Sequence, residues 1–414
     1  MPPFQPKTGA AKTMAKKTSD LRPDTVATHA GLRPWENHGI VNPPVYHAST
    51  ILYPTVAELK GRAGRKFEKG VYTYGRAGTP TSEPLEEAVA ALEGGFGAVV
   101  TSSGLSAVTV ALMAHLAAGD HLLMVDSVYG PTRNFCDKVL KRFGVETTYY
   151  DPLVGAGIDA LIRDNTRVVY LESPGSHTFE IQDVPAIAAA ARARGAATII
   201  DNTWGTPLFL KPFALGVDVS VHAATKYIVG HSDAMMGMVV CADEAGYRRV
   251  KGCAYDFGQC AGPDDVYLAL RGLRTMPVRL RRHQESALVV ARWLQGRPEV
   301  ARILHPALED DPGHALWRRD FTGACGLFGV LLHPVPPAAL AAMLDEMELF
   351  HMGYSWGGYE SLAVPYDPRP IRTATGWDEP GQLVRLHIGL EDTADLIDDL
   401  GRGLDRLTAA AKAG

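Results

Sequence analysis

Two ionisable residues follow apolar stretches of the sequence, where a buried charge requires a chemical reason. Lys226 ends the run VSVHAATK and belongs to a scarce residue type, since the chain has only 13 lysines. Burial lowers the pKa of a lysine and frees its amine to attack a carbonyl carbon, as Schiff-base formation requires. Asp201 ends the run ATIID, where a protonated cofactor ring nitrogen would compensate its buried charge. The structural alternatives are a lysine whose amine reaches solvent and an aspartate that caps a turn.

Three further features could bind the anionic groups or the ring of a cofactor or substrate. The segment TSSGLS, Thr101–Ser106, opens an apolar helix whose N-terminal N–H groups would bind a phosphate, or it is an ordinary serine cap. Arg385 is a lone cation in the apolar stretch LVRLHIGLED and would bind a carboxylate or form a salt bridge with Glu391 or Asp392. Tyr129 follows the apolar run HLLMVD and would stack on a cofactor ring or pack in the core.

The segment YTYGRAGTPT at residues 72–81 combines tyrosine hydroxyls with an arginine. Arg76 can bind a phosphate through two parallel hydrogen bonds, and Tyr74 can donate its hydroxyl. The segment belongs to a Pro- and Tyr-rich arm, so a neighbouring subunit could receive these side chains. The alternative is a surface turn with packed aromatic side chains.

These residues are positioned by a pattern that alternates between helix and strand from residue 82 to residue 241. Helices are predicted at 82–95, 104–120 and 184–195, and strands at 121–126, 145–150, 166–172, 197–204, 219–226 and 234–241. Several of these strands are apolar on both faces, as in a parallel sheet that helices cover on both sides. The α/β alternation predicts an open, largely parallel sheet whose ligand lies beyond the carboxyl ends of the strands.

The composition changes along the chain and predicts its division into segments. We expect a disordered tail at 1–22, an arm at 23–78 that contacts the partner subunit, a cofactor-binding domain at 79–273 and a C-terminal domain at 274–414. The last segment begins near an Arg-rich amphipathic helix, MPVRLRRHQESALVVARWLQGRPEV, and continues with shorter helical and strand pieces.

The overall composition argues against several classes of function. The 414 residues carry 41 basic and 46 acidic side chains, a net charge of −5, which gives no basic footprint for nucleic acid. No run of 18 apolar residues occurs, so no membrane-spanning helix is predicted. The five cysteines lack metal-ligand spacing and are odd in number, which predicts reduced thiols, a cytoplasmic protein and no metal site.

Several motifs, in order along residues 24–408, resemble signatures of the pyridoxal phosphate-dependent enzymes of cysteine and methionine metabolism. They are YGRAGTPT, SSGLSA, DSVYGPT, ESPGSHTFEIQD, DNTWGTPLF, AATKYIVGHSDAMMG and VRLHIGLEDTADLIDDL. The resemblance implies the aspartate aminotransferase-like fold (fold type I), with a large domain around a mostly parallel sheet and a smaller α/β C-terminal domain. Within the family, ESPGS at 172–176, Trp356 and His387 are most similar to the carbon–sulfur β-lyases, where related enzymes have other residues.

The resemblance also implies roles for individual residues around pyridoxal 5'-phosphate. For the cofactor, these are Lys226 as the Schiff-base lysine, Asp201 at the ring nitrogen, Tyr129 stacked on the ring, and Gly104, Leu105 and Thr225 at the phosphate. For the substrate, they are Arg385 at the α-carboxylate, with Ser355, Trp356, Tyr255 and Tyr74 around the remainder. Tyr74 and Arg76 would reach the phosphate of the cofactor in a neighbouring subunit. The site would then need at least a dimer, and a homotetramer is expected.

The implied reaction is a β-elimination, with Lys226 and Tyr129 as the catalytic residues. Lys226 would remove the Cα proton of L-cystathionine, a thiolate would leave from Cβ, and homocysteine, pyruvate and ammonia would result. The alternatives are a cystathionine γ-synthase or γ-lyase, a β-lyase of broader substrate range, and alanine racemisation as a side reaction. Two residues depart from the family pattern: Thr79 replaces an asparagine, and Ala223 replaces a serine that often binds the phosphate.

Overall fold

The computed structural model describes residues 20–413. Residues 1–19 of the tail predicted at 1–22 therefore lie outside the described residues. In this range the helices are α1 (Pro23–His29), α2 (Val56–Ala63), α3 (Ser82–Glu93), α4 (Gly104–Met113), α5 (Gly130–Lys138), α6 (Val184–Ala193), α7 (Thr206–Phe209), α8 (Glu244–Asp256), α9 (Pro263–Gln295), α10 (His314–Asp320), α11 (Pro337–Leu344) and α12 (Thr393–Ala413). The strands are β1 (Gly97–Thr101), β2 (His121–Val125), β3 (Glu146–Tyr150), β4 (Thr166–Glu172), β5 (Ala197–Asp201), β6 (Val219–His222), β7 (Gly237–Cys241), β8 (Val300–Leu304), β9 (Leu327–Leu332), β10 (Leu362–Tyr366) and β11 (Gln382–His387).

A mixed but mostly parallel sheet forms the centre of the chain, in the strand order β1-β7-β6-β5-β4-β2-β3. The run from β3 through β2, β4 and β5 to β6 is parallel, which confirms the predicted α/β class. Strand β7 is antiparallel to both β6 and β1. The connection at 223–236 contains turns rather than a crossover helix, and such a connection returns the chain antiparallel. Strand β1 was not predicted, and its five residues begin two residues after the glycine pair Gly94 and Gly95 that follows α3.

Two predicted strands end earlier than their apolar patterns suggest. Strand β5 ends at Asp201 because Thr203 turns back and donates from its N–H and Oγ1 to Asp201 Oδ1, at 3.0 and 2.5 Å. Strand β6 ends at His222, and Lys226 N–H donates to the Ala223 carbonyl at 3.0 Å, which closes a turn. Lys226 therefore lies in the turn beyond the strand, on the side of the sheet edge where parallel folds bind ligands.

An antiparallel sheet with the order β10-β11-β9-β8 forms a second layer, which packs against α9, α11 and α12 around its own hydrophobic cluster. Helix α9 begins 13 residues before the predicted start at Met276 and contains the predicted boundary at 273/274, so the division into domains stays a prediction. Pro263 in its first turn and the acidic pair Asp264 and Asp265 favour this earlier start. None of the helices within residues 20–413 is long and apolar enough to cross a membrane.

Candidate active site

Lys226 is the centre of a polar cluster at the carboxyl edge of the large sheet. Its Nζ donates to Ser355 Oγ at 2.8 Å and lies 5.5 Å from the centre of the Trp356 ring. Burial and the nearby Arg385 cation lower the pKa of Lys226 to about 8, and the charge of Asp201 only partly opposes this change. A larger fraction of this amine is therefore unprotonated near neutral pH than in an exposed lysine, as a nucleophile or a base requires.

Two carboxylates lie side by side where β4 and β5 end. Glu172 and Asp201 are register partners in the parallel pair, so their side chains extend from the same face. Asp201 Oδ1 accepts both hydrogen bonds from Thr203, and its Oδ2 has no hydrogen-bond partner among the described residues. Burial raises the pKa of Asp201, and burial together with Asp201 raises that of Glu172 further. The free oxygen of Asp201 can therefore take a cationic N–H donor.

Glu172 also fixes the position of Tyr129, a contact that the sequence reasoning missed. Glu172 Oε2 accepts from the Tyr129 backbone N–H at 2.8 Å, at the residue before α5. The Tyr129 side chain is 42% exposed, and burial, then Asp201 and Glu172, raise the pKa of its phenol. The signal available in the sequence was the position of Glu172 at the end of an apolar strand, the same signal that singled out Asp201.

Arg385 is buried, with 6% exposure, but among the described residues it has no carboxylate partner. Its Nη2 donates to the carbonyls of Gly353, Tyr354 and Ser355, each at 3.2 Å. In residues 20–413 no ion pair with Glu391 or Asp392 forms; instead Glu391 accepts from the N–H and Oγ of Ser361. Burial lowers the pKa of Arg385 to about 10, which shows that the partners in the described structure compensate its charge incompletely, so the guanidinium can bind an anionic ligand.

The start of α4 offers a second anion site. Ser103 and Ser106 form a reciprocal capping box, which leaves the N–H groups of Gly104 and Leu105 without a partner in the described part of the chain. A Cβ atom on Gly104 would lie 2.5 Å from that of Ala223, so this helix start packs against the turn that carries Lys226. The Thr225 hydroxyl is bonded to the Met236 backbone at 2.9 and 3.1 Å, and its role as a phosphate donor stays a prediction.

The arm residues lie apart from this cluster within one chain. The Arg76 guanidinium stacks on the Tyr255 ring, 3.9 Å from its centre, and also donates to the Tyr255 carbonyl. The Tyr74 ring is 6.0 Å from the same guanidinium and 43% exposed. Across residues 20–413, no hydrogen bond or ring contact joins these residues to Lys226, an arrangement compatible with their expected role in a neighbouring subunit.

The residues at the sheet edge fit pyridoxal phosphate. A lysine with a lowered pKa would react with the aldehyde, the free Asp201 oxygen would accept from the ring nitrogen, and the free N–H groups of α4 would bind the phosphate. These groups come from the end of β5, the turn after β6 and the segment after β1, and together they match the anionic and cationic parts of the cofactor.

Comparisons with known proteins agree with this fit. Residues 24–405 match the model of the Cys/Met metabolism PLP-dependent enzymes. A putative cystathionine β-lyase of Rhizobium johnstonii is 50% identical over 93% of this chain and 96% of its own length. The cystathionine β-lyase of Escherichia coli is 46% identical over 94% of this chain and its own full length. The solved cystathionine γ-synthase of Xanthomonas oryzae in complex with aminoacrylate and cysteine is 34% identical, with a TM-score of 0.84, and covers 94% of this chain and 99% of that one. The chain therefore belongs to the Cys/Met metabolism PLP-dependent enzymes, carbon–sulfur lyases and their relatives of fold type I that use pyridoxal phosphate.

Proposed function

We propose that this protein is a cystathionine β-lyase, which cleaves L-cystathionine to L-homocysteine, pyruvate and ammonia. The observation that carries the proposal is a buried Arg385 in β11 that has no carboxylate partner within residues 20–413 and donates to the carbonyl of Ser355, the residue to which Lys226 donates. A carboxylate site is thereby connected through one short loop to a lysine base. The relatives with the β-lyase name, at 46% and 50% identity over most of the chain, support this reaction over that of the γ-synthases.

The cofactor and the protein divide the chemistry between them. Pyridoxal phosphate, when bound, supplies a carbonyl carbon for the substrate amine and a ring that accepts the electrons left at Cα. Lys226 Nζ takes the Cα proton, and Ser355 Oγ keeps the amine directed toward it. The Asp201 carboxylate would hold a proton at the ring nitrogen, Tyr129 would lie against the ring, and the N–H groups of Gly104 and Leu105 would bind the phosphate.

The substrate is oriented by groups on both sides of Lys226. Arg385 binds the α-carboxylate through its guanidinium, with Ser355 and Trp356 beside it. Tyr74 and Tyr255, which lie around Arg76 and apart from Lys226 in their own chain, contact the distal part of the thioether from a neighbouring subunit. With the carboxylate fixed, the Cα–H bond faces the lysine amine, and the thiolate can leave from Cβ after the proton has been removed.

The products formed from L-cystathionine test the proposed reaction. The purified enzyme with added pyridoxal phosphate should release pyruvate and a free thiol in equal amounts, because elimination at Cβ leaves a three-carbon fragment. Pyruvate is measured with lactate dehydrogenase and the thiol with a chromogenic disulfide. Release of 2-oxobutyrate would instead indicate a γ-lyase, and synthesis of cystathionine from cysteine and an activated homoserine would indicate a γ-synthase.

We further propose a cytoplasmic homotetramer whose active sites are shared within each dimer. The support is chemical: all five cysteines are free thiols, and the arm residue Arg76 does not contact Lys226 in its own chain. Large apolar side chains of the arm are also exposed, among them Trp35, Leu52 and Val56, at 70%, 84% and 67%. Such an exposed apolar surface is typical of a subunit interface.

Mixing two inactive variants tests the shared site. Lys226→Ala and Arg76→Ala should each be inactive alone, but a refolded or co-expressed mixture should recover about a quarter of the wild-type activity. In random dimers one site in four combines an intact Lys226 with an intact Arg76 from the partner. The activity of the mixture and its mass by light scattering are measured together. No recovery in a mixture that forms mixed dimers would show that Arg76 acts within its own chain.

A further inference from the structure

Two side chains of β11 hold the loop at residues 353–360, which carries Ser355 and Trp356. Arg385 and His387 are two residues apart in the strand, so their side chains extend from the same face. Arg385 binds the carbonyls at the beginning of the loop. His387 binds the second half of the loop. The Nε2 atom of His387 accepts from the Gly357 N–H at 3.0 Å, and its Nδ1 donates to the Glu360 carbonyl, also at 3.0 Å.

The loop packs directly on the backbone of Lys226. Gly357 has a φ of +86°, and a Cβ atom at this position would lie 2.9–3.0 Å from the Lys226 Cα and carbonyl carbon and the Tyr227 nitrogen. Two residues earlier, Ser355 Oγ accepts the hydrogen bond from Lys226 Nζ. The position of the Gly357 N–H therefore determines where Ser355 meets the lysine amine.

The hydrogen bonds of His387 specify one neutral tautomer. The Gly357 N–H needs a lone pair on Nε2, and the Glu360 carbonyl needs a proton on Nδ1. The imidazole is fully buried and packs against the rings of Tyr227 and His283, at 6.0 and 5.4 Å between centres. Burial lowers the pKa of His387 well below its usual value. The neighbouring His283, Arg385 and Lys226 lower it further. The ring is thus a permanent acceptor for Gly357.

We propose that His387 is a positioning residue for the reaction, which fixes the loop at residues 353–360 so that Ser355 Oγ orients the Lys226 amine. The inference rests on the proposed role of Lys226 as the base. It assigns a task to a buried histidine that contacts neither the reacting atoms nor the α-carboxylate site directly. His387 acts on the reaction indirectly: it holds the Gly357 N–H, and the loop then places Ser355 Oγ at the Lys226 amine.

Two amide substitutions separate the two hydrogen bonds. In His387→Gln an amide oxygen lies near the position of Nε2 and can accept from Gly357, whereas in His387→Asn the shorter amide lies near Nδ1 and retains only the bond to Glu360. We expect His387→Asn to lower kcat by about 10- to 100-fold with a much smaller change in KM, since small misplacements of a reacting group have effects of this size. His387→Gln should recover at least about tenfold over His387→Asn.

The matched control is His283→Asn, in the same aromatic cluster. His283 Nδ1 donates to the Ile388 carbonyl at 2.7 Å, an interaction that the asparagine amide can retain, and it makes no hydrogen bond to the loop in the described structure. This variant should keep wild-type kcat. Melting temperature and bound cofactor are measured for all three variants, so that a general loss of structure is recognised as such.

Two readouts do not depend on turnover. In His387→Asn, hydrogen exchange of the 353–360 segment should become faster, and the pH midpoint of the visible absorption band of the bound cofactor should move; neither change should occur in His387→Gln. Equal kcat in His387→Asn and His387→Gln, or a loss of melting temperature with unchanged kcat and midpoint, would overturn the proposal. If L-cystathionine is not the substrate, wild type releases no pyruvate, but both readouts still report on His387.

Discussion

Lys226→Ala is expected to lower β-elimination by about 10³-fold or more and to remove the visible absorption band of lysine-bound cofactor. The expectation follows from the amine's hydrogen bond to Ser355 Oγ and from its pKa, which burial and the nearby Arg385 lower to about 8. Alanine leaves neither a nucleophile for the cofactor carbonyl nor an acceptor for the Cα proton. Steady-state pyruvate release and an absorption spectrum of the purified variant measure the two losses.

The pH dependence of the wild-type enzyme provides a second measure of the same lysine. Burial and Arg385 lower the pKa of Lys226 to about 8, so its base form increases as pH rises through this value. Activity that needs the neutral amine should therefore rise between about pH 7 and pH 9. A profile that falls across this range would argue that the protonated amine is the active form.

Lys211→Met is the control for a buried lysine without a catalytic role. Lys211 is also largely buried, burial lowers its pKa, and its Nζ donates to the carbonyls of Leu92 and Pro207. Methionine keeps its aliphatic stem, so kcat per folded enzyme should stay at the wild-type value. A Lys226→Ala variant with wild-type activity, or equal losses in both variants, would contradict the assignment of Lys226.

Lys226, Asp201 and Arg385 could be singled out from the sequence because each is a charge placed in or beside an apolar run; their roles stay predictions. An apolar pattern reports burial, and a buried charge implies a partner. The same pattern was less informative about strand ends. The apolar run extends through Ala224, past the end of β6 at His222, where the Ala223 N–H leaves the sheet and donates to Thr203 Oγ1. Such turns depend on contacts between separate segments, which a local pattern does not contain.

The missed contacts are those between segments distant in the chain. The Glu172–Tyr129 bond joins the end of one strand to the start of a helix 43 residues earlier. His387 was recognised only as an unusual residue in a motif, and its hydrogen bond to Gly357 becomes visible only when β11 and the loop are packed together. The sequence could therefore single out the candidate groups of the site, but not the interactions that orient them.

Arg385→Leu is expected to raise KM for L-cystathionine far more than it lowers kcat. The buried guanidinium has carbonyl partners but no carboxylate within the described residues, so the substrate supplies its counter-charge. Loss of one partner of a buried charge pair costs about 2–5 kcal/mol, which corresponds to roughly 30- to 5,000-fold in KM. Arg385→Lys should fall between leucine and wild type, because it keeps the charge but not the planar fork.

Arg274→Leu is the matched control for this prediction, since Arg274 shares the chemistry of Arg385 but not its location. Burial lowers its pKa to about 10, and its Nη1 donates to the Ala27 carbonyl at 2.7 Å, between α9 and α1. This variant should leave KM unchanged. An amine analogue of the substrate without the α-carboxylate should inhibit Arg385→Leu and wild type equally, because only the carboxylate contacts Arg385. If Arg385→Leu kept the wild-type KM, or weakened the amine analogue as much as the substrate, the arginine would serve to hold the 353–355 carbonyls rather than the substrate.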